Sequence, residues 1–258
     1  MLKLMKYEFI HSMRTFTVSY AVFLGMCFIF PFFISQESIL SFPFLDVFFG
    51  FGFSFLLFGI MIALFVSLFT NYYQSMFKRP AYLTLTLPVS TTQLILSKVL
   101  MSLIWLCIGV MVLGLGMFIL TMMIGVLESQ MTFVEVLNIF IEILQSFGQY
   151  IFFNTPIFLK DILSIVSVLI FLVGSIYFAL TVSHTKWLRK HRLILGIALY
   201  IFMNIVIEYI ASSLFDEVFS FMSITSNHEL FISIYYLIIG LLLISGTIYT
   251  VDHYIEIE

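Results

Sequence analysis

Charge is what this sequence has least of. Lys, Arg, Asp and Glu together make up 10% of its 258 residues and 62% of the chain is hydrophobic, where a soluble domain has roughly 25% charged residues. With a mean hydropathy of +1.16, the solvent this chain is built for is a bilayer. Cysteine is also scarce. Cys27 and Cys107 are the only two, each within an apolar run, so a disulfide framework and a cysteine-based metal site are excluded and both read as buried thiols. The net charge is -3, and without a basic patch interleaved with aromatics nothing points to nucleic acid as a partner. Catalytic motifs are missing as well. There is no G-x-x-x-x-G-K-[ST] phosphate loop, no H-E-x-x-H, no G-x-S-x-G and no Cys/His cluster at metal spacing. His184 and His191 share a short basic loop and read as interface residues rather than ligands. No internal repeat, low-complexity segment or Gly/Ser linker divides the chain, so a single domain over residues 1–258 is expected.

What is present is a series of apolar runs of bilayer length, each able to supply the roughly 20 residues that a membrane-spanning helix needs. Six stand out: Thr17 to Ser35, Val47 to Thr70, Val99 to Ile124, Ile162 to Val182, Leu193 to Ser213 and Leu230 to Val251. The first is preceded by Met-Leu-Lys-Leu-Met-Lys and followed by no small-residue cleavage site, so it reads as a retained span. The basic residues fall on one side of this series. Lys3, Lys6 and Arg14 precede span one; Lys78, Arg79 and Lys98 lie between spans two and three; Lys186, Arg189, Lys190 and Arg192 lie between four and five; Lys160 alone is opposite. Positively charged loops are retained in the cytoplasm, so the expected fold is an all-α integral membrane protein of six transmembrane helices with both termini cytoplasmic.

Two further segments are amphipathic. Within residues 125–160, Glu135, Asn138, Glu142, Gln145 and Gln149 recur at three- and four-residue steps and share one helix face, with Val136, Leu137, Phe140, Leu144 and Phe147 opposite. Such a helix is expected to lie in the outer interface between spans three and four, because crossing would cost a few kcal/mol per carboxylate. Residues 1–16 repeat the pattern more weakly, with Leu2, Met5, Phe9, Met13 and Phe16 along one stripe. They read equally as an interfacial helix on the inner leaflet, from which the chain turns into span one, or as a plain cytoplasmic extension of that span.

The loop over 71–98 is bounded by strong punctuation. Pro80 disfavours helix at Arg79, Pro88 closes a short leucine-rich segment, and Ser90 followed by Gln93 is a capping box that starts span three at about Thr91. Apolar side chains held in a defined place at a membrane surface usually mean a docking surface, the alternative being a tight loop whose leucines dip back into lipid; the residues concerned are Pro80, Ala81, Tyr82, Leu83, Thr84, Leu85, Thr86, Leu87 and Pro88.

The string from Tyr82 to Lys98, Tyr-Leu-Thr-Leu-Thr-Leu-Pro-Val-Ser-Thr-Thr-Gln-Leu-Ile-Leu-Ser-Lys, is similar to the LPVSxxQLxxSK stretch of bacterial ABC-2 type permeases. Lys6, Glu8, Phe9 and Arg14 likewise resemble the K-x-E-F-x-x-x-x-R opening of that family. The resemblance implies the transmembrane subunit of an exporter in a bacterial cell membrane, with residues 1–16 as the interfacial elbow and Pro80 to Pro88 as the coupling element that sits in a groove of a separate ATPase subunit. It also implies a second permease chain, identical or paralogous. As the sequence has no phosphate loop, ATP and Mg are expected on the partner ATPase, with no cofactor, metal or catalytic residue in this chain.

Within the spans, Asn204 and Glu208 share a face one turn apart and form a candidate intramembrane polar site, unless Glu208, toward the outer end of its span, is an interfacial carboxylate reaching the outer water. Glu135, Asn138 and Glu142 form either a plain solvated face or a candidate external stripe facing a cationic amphipathic substrate. Gly109, Gly114, Gly116, Gly240 and Gly246 leave room for close helix contact or equally face lipid. The expected cargo is apolar or amphipathic: a peptide, lipid or drug-like molecule. The alternative reading is a stand-alone immunity or binding protein that sequesters a toxic peptide at its acidic outer face.

Overall fold

The computed structural model describes residues 2–34, 43–77, 90–128, 132–185, 192–222 and 228–254. These are almost wholly helical: α1 (Leu2–Ile34), α2 (Pro43–Phe77), α3 (Thr91–Glu128), α4 (Phe133–Phe153), α5 (Thr155–Ser183), α6 (Arg192–Met222) and α7 (His228–Tyr254). No strand occurs among the described residues. All seven helices are long and apolar enough to cross a membrane, and the chain is a multi-pass membrane protein. The six apolar runs lie in α1, α2, α3, α5, α6 and α7. On length and composition α4 qualifies as a seventh, through Val134–Phe153, yet it is more strongly amphipathic than any other helix.

The chemistry at the helix ends explains several boundaries. The α3 helix starts where the cap places it: Ser90 Oγ accepts from the Gln93 backbone N–H at 3.4 Å and the Ser90 carbonyl accepts from Leu94 N–H at 3.1 Å. In α4, the Thr132 hydroxyl accepts from Glu135 N–H at 3.4 Å while Glu135 Oε2 accepts from Thr132 N–H at 2.8 Å, a complete capping box. Asn154 alone separates α4 from α5. In α5, Pro156 occupies the first turn, where its missing N–H costs nothing.

No turn separates residues 1–16 from the first span, because α1 runs unbroken from Leu2 to Ile34. At 1.5 Å per residue that is about 50 Å, longer than the roughly 30 Å hydrocarbon layer. Neither Gly nor Pro occurs between Leu2 and Leu24 to break it.

The chain divides into two compact units, one of Met1–Phe9, Leu68–Leu103 and Pro156–Glu258, the other of Ile10–Ser67 and Ile104–Thr155. In the first, α5 and α7 approach closely at glycines. A Cβ on Gly174 would stand 2.8 Å from the Gly240 carbonyl oxygen, and one on Gly240 would stand 2.9 Å from the Phe171 nitrogen. Contact there is backbone to backbone. Helices α6 and α7 also pack, with the Tyr235 hydroxyl donating to the Ile207 carbonyl at 3.1 Å.

In the second unit Trp105 is the packing centre. The Phe16 ring stacks on it at 5.1 Å, its indole N–H donates to Ser12 Oγ at 2.7 Å, and Tyr20 donates to its carbonyl at 2.5 Å. Gly116 faces Phe23 and Cys27, and Gly109 faces Tyr20 and Leu64. Gly114 meets nothing within 4 Å. Cys27 is buried as expected, whereas Cys107 is exposed. An apolar run cannot tell these cases apart, because lipid-facing and core-facing positions of a membrane helix are equally apolar.

Candidate functional site

The most concentrated polar chemistry among the described residues is buried in the first unit, where four helix ends meet: the start of α1, the end of α2, the start of α3 and the end of α5. Lys98, in the second turn of α3, has a side chain only 2% exposed, and its ammonium is ion-paired to Glu8 in the second turn of α1, itself 16% exposed. An ammonium buried without a partner would be strongly unfavourable, so the carboxylate is what allows this lysine inside. One turn further along α3, Ser102 Oγ lies 2.5 Å from the Tyr177 hydroxyl, which also reaches the Lys98 carbonyl at 3.4 Å. Since a carbonyl only accepts, Tyr177 donates to Lys98 and Ser102 donates to Tyr177.

The Tyr177 ring stacks on Tyr72 at 3.8 Å with 16° between planes. Thr181 donates to the Tyr177 carbonyl at 2.7 Å, so its hydroxyl accepts from Tyr72 at 2.8 Å. Tyr72, Tyr177 and Thr181 are at most 1% exposed. Each hydroxyl is hydrogen-bonded to another group, which suits a stiff joint. At its edge, His184 stacks on Phe77 at 4.0 Å, and its Nδ1 lies 2.8 Å from the Leu180 carbonyl. Nδ1 must therefore carry the proton. Burial, reinforced by Arg192 and opposed by the Leu180 hydrogen bond, holds the imidazole below its ordinary pKa.

The cluster joins the two stretches that carry the family resemblance, the opening with Glu8 and the string ending in Lys98. Both residues belong to those motifs, but nothing in their spacing along the chain reveals that they touch. A lysine eight residues into an apolar helix was the available signal, since such a residue needs a partner.

The predicted site residues fare differently. Pro80, Ala81, Tyr82, Leu83, Thr84, Leu85, Thr86, Leu87 and Pro88 lie outside the described residues, as do Val89, Lys78, Arg79, Lys186, Arg189, Lys190 and His191. Asn204 is half-buried and donates to the Tyr200 carbonyl at 2.8 Å, while Glu208 is exposed on the same helix and within electrostatic reach of Tyr236. Asn138 and Glu142 are exposed on α4, but the Glu135 carboxylate is taken up by the cap with Thr132. The Thr-x-x-Glu spacing that marks this cap was readable in the sequence. No group of three or more His, Cys, Asp or Glu able to hold a metal ion occurs among the described residues. Compared with family models, curated proteins and solved structures, the chain matches none.

Proposed function

We propose that this chain is the transmembrane permease subunit of an ATP-driven exporter, in which a separate ATPase subunit binds ATP and Mg and this chain carries no catalytic step. The observation that carries the reading is the ion pair between Glu8 and Lys98. The two stretches similar to ABC-2 permeases are 90 residues apart and are joined inside the protein at the helix ends flanking residues 78–89, the segment read as the docking element.

The topology that goes with this function has six spans, α1, α2, α3, α5, α6 and α7, with both termini in the cytoplasm of a bacterial cell and α4 along the outer interface. Two features support placing α4 there: its strong amphipathicity and its exposed Asn138 and Glu142. Two such permease chains, identical or paralogous, would enclose the pathway. ATP binding would draw the ATPases together, and the segment from Pro80 to Pro88 would pass that motion to α2 and α3, switching the bundle between inward-open and outward-open states. The cargo is apolar or amphipathic, a peptide, lipid or drug-like molecule, since the inward polar groups described above are spent on one another.

The test is gentle extraction through an affinity tag from the native membrane, with mass spectrometry of what co-purifies. An ATPase with a phosphate loop in stoichiometric amount, lost in Leu85→Asp, is the expected result. If no nucleotide-binding protein accompanies a correctly folded chain, a stand-alone immunity or binding protein becomes the better reading.

A further inference from the structure

Residues 2–16 hold one acidic group, Glu8, and the fold turns it inward onto Lys98. The apolar side chains expected along one stripe of this segment mostly go the same way: Phe16 is buried, and Met5 and Phe9 are half-buried. What remains outside is Lys6, Tyr7, Ile10, Met13 and Arg14, all exposed, Tyr7 at 72%. At 3.6 residues per turn these five positions fall within an arc of about 120°, on a helix that runs unbroken through them. Two cations thus flank an aromatic and two apolar side chains, with no carboxylate among them. We propose that this face of α1 binds the anionic headgroups of the surrounding bilayer.

Depth along the helix supports this occupant. The apolar span of α1 begins at Ser12. At 1.5 Å per residue Lys6 stands about 9 Å before that point and Arg14 about 3 Å beyond it. The polar zone on each side of the hydrocarbon is about 5–8 Å deep, so Arg14 lies at its inner edge and Lys6 at its outer edge. Tyr7 and Ile10 fall between them, at the level where amphipathic rings gather in membrane proteins. Long basic side chains there keep their stems on apolar surface and carry the charge to lipid phosphates. Charge complementarity then selects among lipids: one cation near the surface favours an anionic lipid about fivefold. On the same face Glu8 would offset one of the two cations, and its pairing with Lys98 removes it. The inference follows from a membrane-embedded α1 and does not depend on the permease reading.

The test uses the full chain with Cys27 and Cys107 replaced by alanine and a fluorophore on Thr17→Cys, an exposed position three residues beyond Arg14. The chain is reconstituted in phosphatidylcholine vesicles in which a minor fraction of the lipid is brominated, either as phosphatidylglycerol or as phosphatidylcholine, and quenching reports the local share of the brominated lipid. Phosphatidylglycerol is expected to be enriched at Thr17 about fivefold or more over phosphatidylcholine, and the enrichment to fall at high salt. Lys6→Gln/Arg14→Gln is expected to abolish it with the melting temperature unchanged, since both side chains are exposed, while Lys6→Arg/Arg14→Lys retains it. A fluorophore on Met111→Cys, exposed on α3, is expected to respond equally in both backgrounds. Equal quenching by the two lipids in the parent chain overturns the proposal, as does enrichment that survives Lys6→Gln/Arg14→Gln. Equal quenching together with a Tyr7→Cys thiol that a water-soluble reagent reaches in vesicles but not in the native membrane would show that a protein covers this face, and would overturn it in favour of that partner.

Discussion

His184, which its place in a short basic loop marks as an interface residue rather than a ligand, is part of the packing. Its ring lies on Phe77, and the hydrogen bond to Leu180 fixes the neutral tautomer with the proton on Nδ1. Because burial depresses its pKa, the folded state binds fewer protons than the unfolded state near the ordinary value of 6.5. The stability it contributes is therefore complete above that pH and is lost as pH falls below it. Thermal melts of the purified chain at pH 7.5 and pH 5.5 are expected to show a larger drop for wild type than for His184→Asn, which retains a short donor to Leu180 but does not titrate. An equal drop in both would remove His184 as the cause. At this scale the sequence was only partly legible. It identified Glu8 and Lys98 as motif residues without their contact, and it placed Glu135 on a polar helix face without the cap that its carboxylate makes with Thr132. Hydrogen bonding between neighbours three residues apart can be read from spacing, whereas a partner 90 residues away cannot.

At the level of helices, the same glycine does opposite things in different places. Gly240 is pressed against the α5 backbone, so Gly240→Ala must push α5 and α7 apart at an overpacking cost of about 1–3 kcal/mol. Gly25 meets nothing within 4 Å, so Gly25→Ala adds only helix propensity, up to about 1 kcal/mol in favour of the helix. Melting temperatures in one detergent are expected to move in opposite directions. Movement in the same direction would mean that the α5–α7 contact is looser than described. Helix existence was legible throughout, and the start of α3 was legible to the residue because Ser90 and Gln93 are local chemistry. Gly174 was missed as a contact, and the sequence left open whether Gly114 meets a helix or open space, since a small residue opens space on any face and only the neighbouring helix decides whether the space is used.

For the whole molecule the open count is whether α4 crosses. In a background with Cys27 and Cys107 replaced by alanine, single cysteines at Glu142, Glu229 and Thr185 separate the topologies. A membrane-impermeant thiol reagent applied to intact cells is expected to label Glu142→Cys and Glu229→Cys and to leave Thr185→Cys unlabelled until the cells are permeabilised. Labelling of Thr185→Cys in intact cells would mean that α4 spans and that everything after it is inverted.

Taken alone, the sequence determined the bilayer as solvent, the helical class, the places of the apolar runs and the caps at Ser90, because each follows from composition or from residues within a turn of one another. The tertiary structure decided the rest. It joined Glu8 to Lys98, stacked Tyr72 on Tyr177, brought Gly174 against Gly240 and placed Cys107 outward while Cys27 went in. The physical reason is the solvent itself. In water, polarity separates inward from outward faces and periodicity reveals which is which. In lipid both faces are apolar, so the sequence does not mark which side of a helix meets another, and only the packed structure makes that choice.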